Sequence, residues 1–247
     1  MQILQDILAT LTDGKIIDIA INENWTAVVV EVEGMLQCGL ASNPVPVPAD
    51  KSGYISYLIN GQSEDSALAL SGLAAKPARP EASAGMAAIN ALLPKPRDYL
   101  EENANDLLSR IIPGRKSVMV GHFSFIEDLK TVNQDLTVLE LLPQEGDLHV
   151  SKAPEILPQA EVVAITSMTL INGTLTELLD LCSPEATTLI IGPSTPFSPV
   201  LFDYGIDALC GTLVVNIDRV VDGISSGKKF RHLEPDVVRK AIAFRKE

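Results

Sequence analysis

His122 and Glu140 are the residues whose type and position best suit proton chemistry. His122 directly follows the apolar run "SVMVG", and Glu140 ends a second run, "TVLE", 19 residues beyond Gly121. If both runs are strands of one parallel sheet, each side chain stands at a strand tip. There an imidazole can bind a metal or shuttle a proton near neutral pH, with the carboxylate as its electrostatic partner. An acid about 20 residues after a first strand is also where a dinucleotide-binding unit holds its ribose. The glycine fingerprint for that use is missing: "VGHFSF" offers one glycine where three are needed, and His122 and Phe123 would crowd a pyrophosphate. A standard dinucleotide is therefore not expected, and a structural His122 and an ordinary sheet-edge Glu140 stay open beside the catalytic roles.

Two loops concentrate hydroxyls. "TLIIGPSTPFSP" turns from an apolar run into three prolines, two serines and a threonine within residues 193–199. A core strand that merely reverses needs one Gly or Asn, so this stretch predicts a shaped surface. Gly192, Pro193, Ser194 and Thr195 would line one wall of a pocket, with a rigid strand-to-helix connection as the plainer alternative. The second loop, "ITSMTLINGTL", offers Thr166, Ser167, Thr169, Asn172, Gly173 and Thr174 before a helix whose free amides suit an anion. Thr174 and Glu177 have the spacing of a capping box, which leaves Asn172 and Gly173 to face a ligand, against an ordinary Asn-Gly turn.

Metal chemistry has weaker support. Glu145, Asp147 and His149 alternate, so extended backbone would put all three on one side, an oxygen and nitrogen set suited to zinc or a similar divalent ion. With His122 they are the candidate metal ligands, against a solvated acidic loop. Cys38, Cys182 and Cys210 form no C-x-x-C pair, and their number and scatter fit a reducing compartment.

The elements that must position these residues follow from the pattern of apolar positions. Residues 15–41 alternate as three antiparallel strands, with a tight turn at Glu33-Gly34. "EDSALALSGLAAK" and "SAGMAAINALL" then take helical spacing. From Ser117, "SVMVG", "TVLEL", "EVVAIT", "TLIIG" and "ALCGTLVV" alternate with amphipathic segments, which predicts a parallel sheet with crossover helices. Ser198-Pro199 reads as a helix start, and Glu234-Pro235 as the start of a last helix carrying Val238, Ile242 and Arg245 on one face. The fold class is α/β: a small α+β domain over 1–95, ending near Pro94 and Pro96, and a parallel-sheet domain over 96–247. In the common 3-2-1-4-5 order the first strand lies beside the fourth, so that Gly121-His122 and Gly192–Pro196 would border one crevice.

Composition narrows the function classes. The 247 residues carry a net charge of −13, and residues 96–227 hold nineteen acids against seven bases. That surface repels a phosphate backbone, and Lys228, Lys229 and Arg231 read as a solvated helix approach, so no nucleic-acid partner is expected. Nor is a membrane partner: the N-terminal "MQILQDILATL" reads as an amphipathic helix and not a signal peptide, and no apolar run nears the ~18–20 residues of a membrane span. The expected location is the cytoplasm, with a homo-oligomer left open.

The segments "ASAGMAAINALL", "VGHFSF", "LELLPQEGD", "AEVVAITSMTLINGTLTELL", "IIGPSTPFSPVLFDYGIDALCGTLV" and "VVDGISSGKKF" resemble the family described as "putative heavy-metal chelation". The likeness runs from about Ser83 to the C-terminus, and the first 80 residues match it by element order. It implies an enolase N-terminal-like domain joined to a Rossmann-like domain, with a pocket at their junction that Asn90 approaches from the first. The ligand so implied is a divalent heavy metal or a small organic chelator. Few cysteines and a hydroxyl-rich crevice favour binding a small anionic or heteroaromatic molecule or metal complex. The alternatives are an enzyme with His122 as general acid or base and Glu140 beside it, and a protein interaction module.

Overall fold

A computed structural model describes residues 2–61, 65–77, 79–227 and 236–246. The first half opens with α1 (Gln2–Leu8), then β1 (Lys15–Ile21), β2 (Trp25–Val32) and β3 (Met35–Ser42), an antiparallel sheet in that order. Glu33 and Gly34, with φ of 51° and 77°, make the tight β2–β3 turn that the sequence predicts. At the β1–β2 turn, Asn22 Oδ1 accepts from the backbone N–H groups of Asn24 and Trp25. Helices α2 (Lys51–Asn60), α3 (Ala67–Ser71) and α4 (Pro80–Leu92) follow. The small residues of α4 let it lie against β3 at backbone distance: a Cβ on Gly39 would collide with the Ala87 carbonyl. Nearly every residue of α4 is buried, because the helix is enclosed between the small sheet and the second half.

The second half runs α5 (Ala104–Ile111), β4 (Ser117–Val120), α6 (Ile126–Val132), β5 (Leu136–Glu140), β6 (Leu148–His149), α7 (Ala153–Ile156), β7 (Val162–Thr166), α8 (Met168–Asn172), α9 (Leu175–Leu181), β8 (Thr187–Ile191), α10 (Val200–Asp203), β9 (Ala208–Val214), α11 (Ile217–Ser225) and β10 (Val238–Phe244). The result is mixed α/β: a seven-stranded, mostly parallel sheet beside the small antiparallel one. One face packs α5 and α6 through Leu108, Ile112, Ile126 and Leu129. The other packs α7, α9, α10 and the whole first half in one continuous core.

Four expectations need correction. The sheet order is β10-β9-β8-β7-β4-β5-β6, which is the expected 3-2-1-4-5 winding with β6 as its third strand; the unforeseen β6 makes β7, not β8, the fourth strand, so β7 separates β4 from β8 and the two loops expected to share a crevice do not leave neighbouring strands. The last helix is instead strand β10, antiparallel to β9 with Ile242 opposite Cys210. Val238 and Ile242 are four apart, a spacing that fits both a helix face and every second strand residue; their hydrogen bonds to β9 and Leu100 decide it. Glu234-Pro235, like Lys228, Lys229 and Arg231, lies outside the described residues. Thr174 does not cap α9, because its hydroxyl donates to Asn172 Oδ1 at 2.7 Å. Ser198 does not cap α10 either: the helix begins one residue later, after Pro199, and the buried Ser198 hydroxyl has no partner. Among the described residues no helix is long and apolar enough to cross a membrane.

Candidate functional site

The strand order reverses between β4 and β7: the chain leaves β4 for β5 on one side and continues from β7 to β8 on the other. Loops leaving two such strands go to opposite faces and open a crevice at the carboxyl ends. Here Gly121 has φ of 107°, and a Cβ on it would sit 2.9 Å from Thr166 Cβ, so only glycine fits between the two tips.

A hollow of about 320 Å³ opens there, over Val120, Leu139, Ala153, Leu178 and Leu181. Its polar rim includes Glu140, His149, Thr166, Thr169, Asn172 and Thr174. Thr169 Oγ1 donates to the Thr166 carbonyl at 2.7 Å, which fixes the start of α8. Asn172 Oδ1 accepts both the N–H and the hydroxyl of Thr174, at 3.1 and 2.7 Å, so its Nδ2 is the end that can donate to a ligand. Glu140 accepts backbone N–H groups from His122 at 2.8 Å and Leu141 at 2.6 Å, one on each oxygen, and each oxygen keeps a lone pair. His149 Nδ1 accepts the Ser151 N–H at 3.1 Å, so in the neutral ring Nε2 carries the proton.

His122 is aligned by Asp147 and not by Glu140. Its Nδ1 lies 2.8 Å from Asp147 Oδ2, whose carboxylate is fully buried and also accepts the Gln144 N–H. With Nδ1–H pointing at the carboxylate, Nε2 is the basic nitrogen. Asp147 Oδ1 is buried without a partner. The expected row of Glu145, Asp147 and His149 does not form, because Glu145-Gly146 is a turn with Gly146 at φ of 85°. Among the described residues no group of three or more His, Cys, Asp or Glu side chains is placed to hold a metal ion. Burial pushes the thiols of Cys38 and Cys210 up to about 12 and that of Cys182 to about 11, which keeps them protonated and poor metal ligands.

The model of the DUF364 family, described as "Putative heavy-metal chelation", matches residues 103–243. The chain belongs to this family. A second model with the same description, DUF4213, matches residues 4–93 of this DUF364 protein. An uncharacterized protein of Methanocaldococcus jannaschii is 27% identical over 150 residues, which span 57% of the present chain and 58% of that relative. Two solved structures, both of DUF364 proteins of unknown function, share the fold. The one from Desulfitobacterium hafniense DCB-2 has a TM-score of 0.82 at 23% identity, covering 99% of this chain and 98% of its own. The one from Pyrococcus horikoshii has a TM-score of 0.79 at 20% identity, with the same coverage.

The DUF364 chain distributes the sequence candidates over three places. Gly121, Glu140, His149, Thr166, Asn172 and Thr174 line the hollow at the strand tips. Gly192 and Pro193 line a larger hollow on the opposite face, with Phe123 and Phe125 from the loop after β4. Asn90 and Thr195 border a gap of about 40 Å³ between the two halves, room for about one water.

Ser194 lines none of these: its Oγ accepts the Ser42 N–H at 2.8 Å from the first half, and its carbonyl accepts Asn90 Nδ2 at 3.1 Å. Thr195 Oγ1 donates to the carbonyls of Gly192 and Cys210. Ser167 is buried, with its Oγ 2.5 Å from where a Gly192 Cβ would stand, and Gly173 packs on Pro77. Thr169, which the loop's sequence also offered, lines the hollow at the strand tips as well. Sequence reasoning missed the pairing of His122 with Asp147, which nothing local signals across 25 residues.

Proposed function

We propose that this protein binds a small heteroaromatic molecule, free or as a metal complex, in the hollow at the tips of β4, β5 and β7, and serves heavy-metal chelation in that way. The observation that carries this reading is the rim of Glu140, Thr166, Asn172 and Thr174 around an apolar floor, at the point where the strand order reverses. A few placed polar groups over apolar walls make a small-molecule site of the usual kind, and about 320 Å³ lies at the small end of the ~300–1,000 Å³ range.

Among the described residues the rim contains Glu140 and Glu177 and no Lys or Arg, which favours a neutral or cationic ligand over an anion. The metal enters this reading as cargo on an organic ligand, because buried, protonated thiols do not suit direct capture. We read residues 1–95 as the domain that braces this site from behind α4, and 96–247 as the domain that contains it. Native mass spectrometry with elemental analysis, followed by calorimetry with bipyridine, dipicolinate and their zinc complexes, tests the proposal. Bipyridine or its complex should bind and weaken about tenfold in Asn172→Ala or Thr166→Val, a loss on the scale of one hydrogen bond. Wild-type affinity in both variants would overturn the site.

One observation favours a second reading, an enzyme. The buried Asp147 fixes the tautomer of His122 as a carboxylate does in acid-base catalysis. Under that reading, incubation with a metabolite extract gives a His122-dependent loss of some compound by mass spectrometry. An extract unchanged by wild-type protein would remove it.

A further inference from the structure

The larger hollow, about 690 Å³, lies over the outer face of β8, β9 and β10, and the register of those strands gives it a graded floor. Ile191 pairs with Cys210, Cys210 with Ile242, and Thr212 with Lys240. Alternation puts Cys210 and Thr212 on one face of β9, opposite Ile242 and Lys240 of β10. The hollow therefore runs from an apolar inner floor at Ile191 and Cys210 to a hydroxyl and an ammonium at Thr212 and Lys240. Phe123 and Phe125, stacked with centroids 5.3 Å apart, stand beside the apolar end.

Two observations point to a ligand. First, the floor is an apolar bed beside an aromatic pair that ends in a hydroxyl and an ammonium, which fits a flat ring with one acidic end. Second, among the described residues the three acids of the lining are engaged within the protein: Glu101 by Arg239, Glu102 by Arg110 and Asp106 by Asn103. Their repulsion of an incoming anion is thereby weakened at the Lys240 end.

We propose that this hollow is a second binding site, for a small aromatic carboxylate. The ring lies over Ile191 and Cys210 beside the Phe pair, and the carboxylate meets Lys240 and Thr212. Lys240 already donates to Thr212 Oγ1 at 3.3 Å, and an ammonium has three protons to give. Desolvation against the strands holds its pKa down to about 8 although the residue keeps an exposed surface. Among the described residues, the charged groups that line the hollow with it are Glu101, Glu102 and Asp106 from the segment before β4 and Arg239 on its own strand; the Cys210 thiol stays protonated. The ammonium is the form that holds a carboxylate, so affinity is full below pH ~8 and falls as pH rises through it.

The test uses para-hydroxybenzoate, benzoate and para-hydroxybenzamide on the full chain, followed by calorimetry and by nuclear Overhauser contacts to the Phe rings. Hydroxybenzoate should bind at least tenfold tighter than its amide, show contacts to Phe123 or Phe125, weaken tenfold or more in Lys240→Met and lose affinity between about pH 7 and about pH 9. Lys240→Arg should retain binding above pH 8, where the wild type loses it. Acid and amide binding alike, wild-type affinity in folded Lys240→Met, or no saturable binding of either acid would overturn the proposal. None of these results bears on bipyridine binding at the tips of β4, β5 and β7, so the two sites fail separately.

Discussion

The two hydroxyl-rich loops of this protein look alike in sequence and serve opposite ends. Both follow a buried strand with Ser, Thr and a glycine, yet the loop after β7 opens Thr166, Asn172 and Thr174 onto a hollow, while the loop after β8 turns Ser194 and Thr195 inward. The difference lies in what stands behind them. At β8 the first half arrives, and Ser42 and Asn90 take up the polar groups that the loop presents. At β7 the backing is the apolar floor of the sheet and α9, which leaves polar groups available. A loop's composition therefore tells that it has hydrogen bonds to make, and the packing around it decides whether a ligand or the protein makes them.

The joint should give the largest effects. Asn90 Nδ2 serves the carbonyls of Leu40 and Ser194, at 2.8 and 3.1 Å. Asn90→Leu strands both, and at ~1–3 kcal/mol per unsatisfied buried group the expected loss is about 3 kcal/mol by urea denaturation. Ser194→Ala leaves the Ser42 N–H without its acceptor and should cost about 1–2 kcal/mol. Neither variant should alter ligand affinity at the tips of β4, β5 and β7; if Ser194→Ala weakens that binding, the contrast between the loops fails.

Asn172→Ala is the complementary variant. It removes an acceptor for Thr174 at a partly exposed site, so stability should fall by about 1 kcal/mol or less, while ligand affinity falls about tenfold. A stability loss equal to that of Asn90→Leu would mean that the second loop is structural too.

The strands were legible because β-branched residues in short runs bounded by Gly, Pro and Asn leave few alternatives, as in "SVMVG" and "TLIIG". Their 3-2-1-4-5 winding was legible as well, but β6, two exposed residues without an apolar run, was not, and missing it put β8 where β7 stands beside β4. The missing cap at Thr174 has a local cause: its backbone is already helical and its hydroxyl is turned to donate to Asn172 Oδ1, so its oxygen accepts from no helix N–H. Glu140, Thr166 and Asn172 could be named because strand ends are readable. Asp147 was named only as a metal candidate; its place beside His122, like that of Lys240, could not be read, because an acid in a turn and a lysine on an edge strand look like solvated surface until their neighbours are known.

The smallest effect concerns a second tie between the halves. Tyr204, just after α10, donates its hydroxyl to Asp6 of α1 at 2.5 Å, and Gln2 donates to the same carboxylate. These bonds, the Tyr204 one first, hold the Asp6 carboxyl below its usual range. A carboxyl with a lower pKa folded than unfolded stabilises the fold above the unfolded value, about 3.9 for Asp, and loses that contribution as pH falls through the folded value. Asp6→Asn removes the titrating group but keeps an acceptor for Tyr204. Urea midpoints at about pH 7 and about pH 3 should drop less in the variant than in the wild type. Equal drops would show that the ionised Asp6, unlike the bonds of Asn90 and Ser194, adds nothing to the joint.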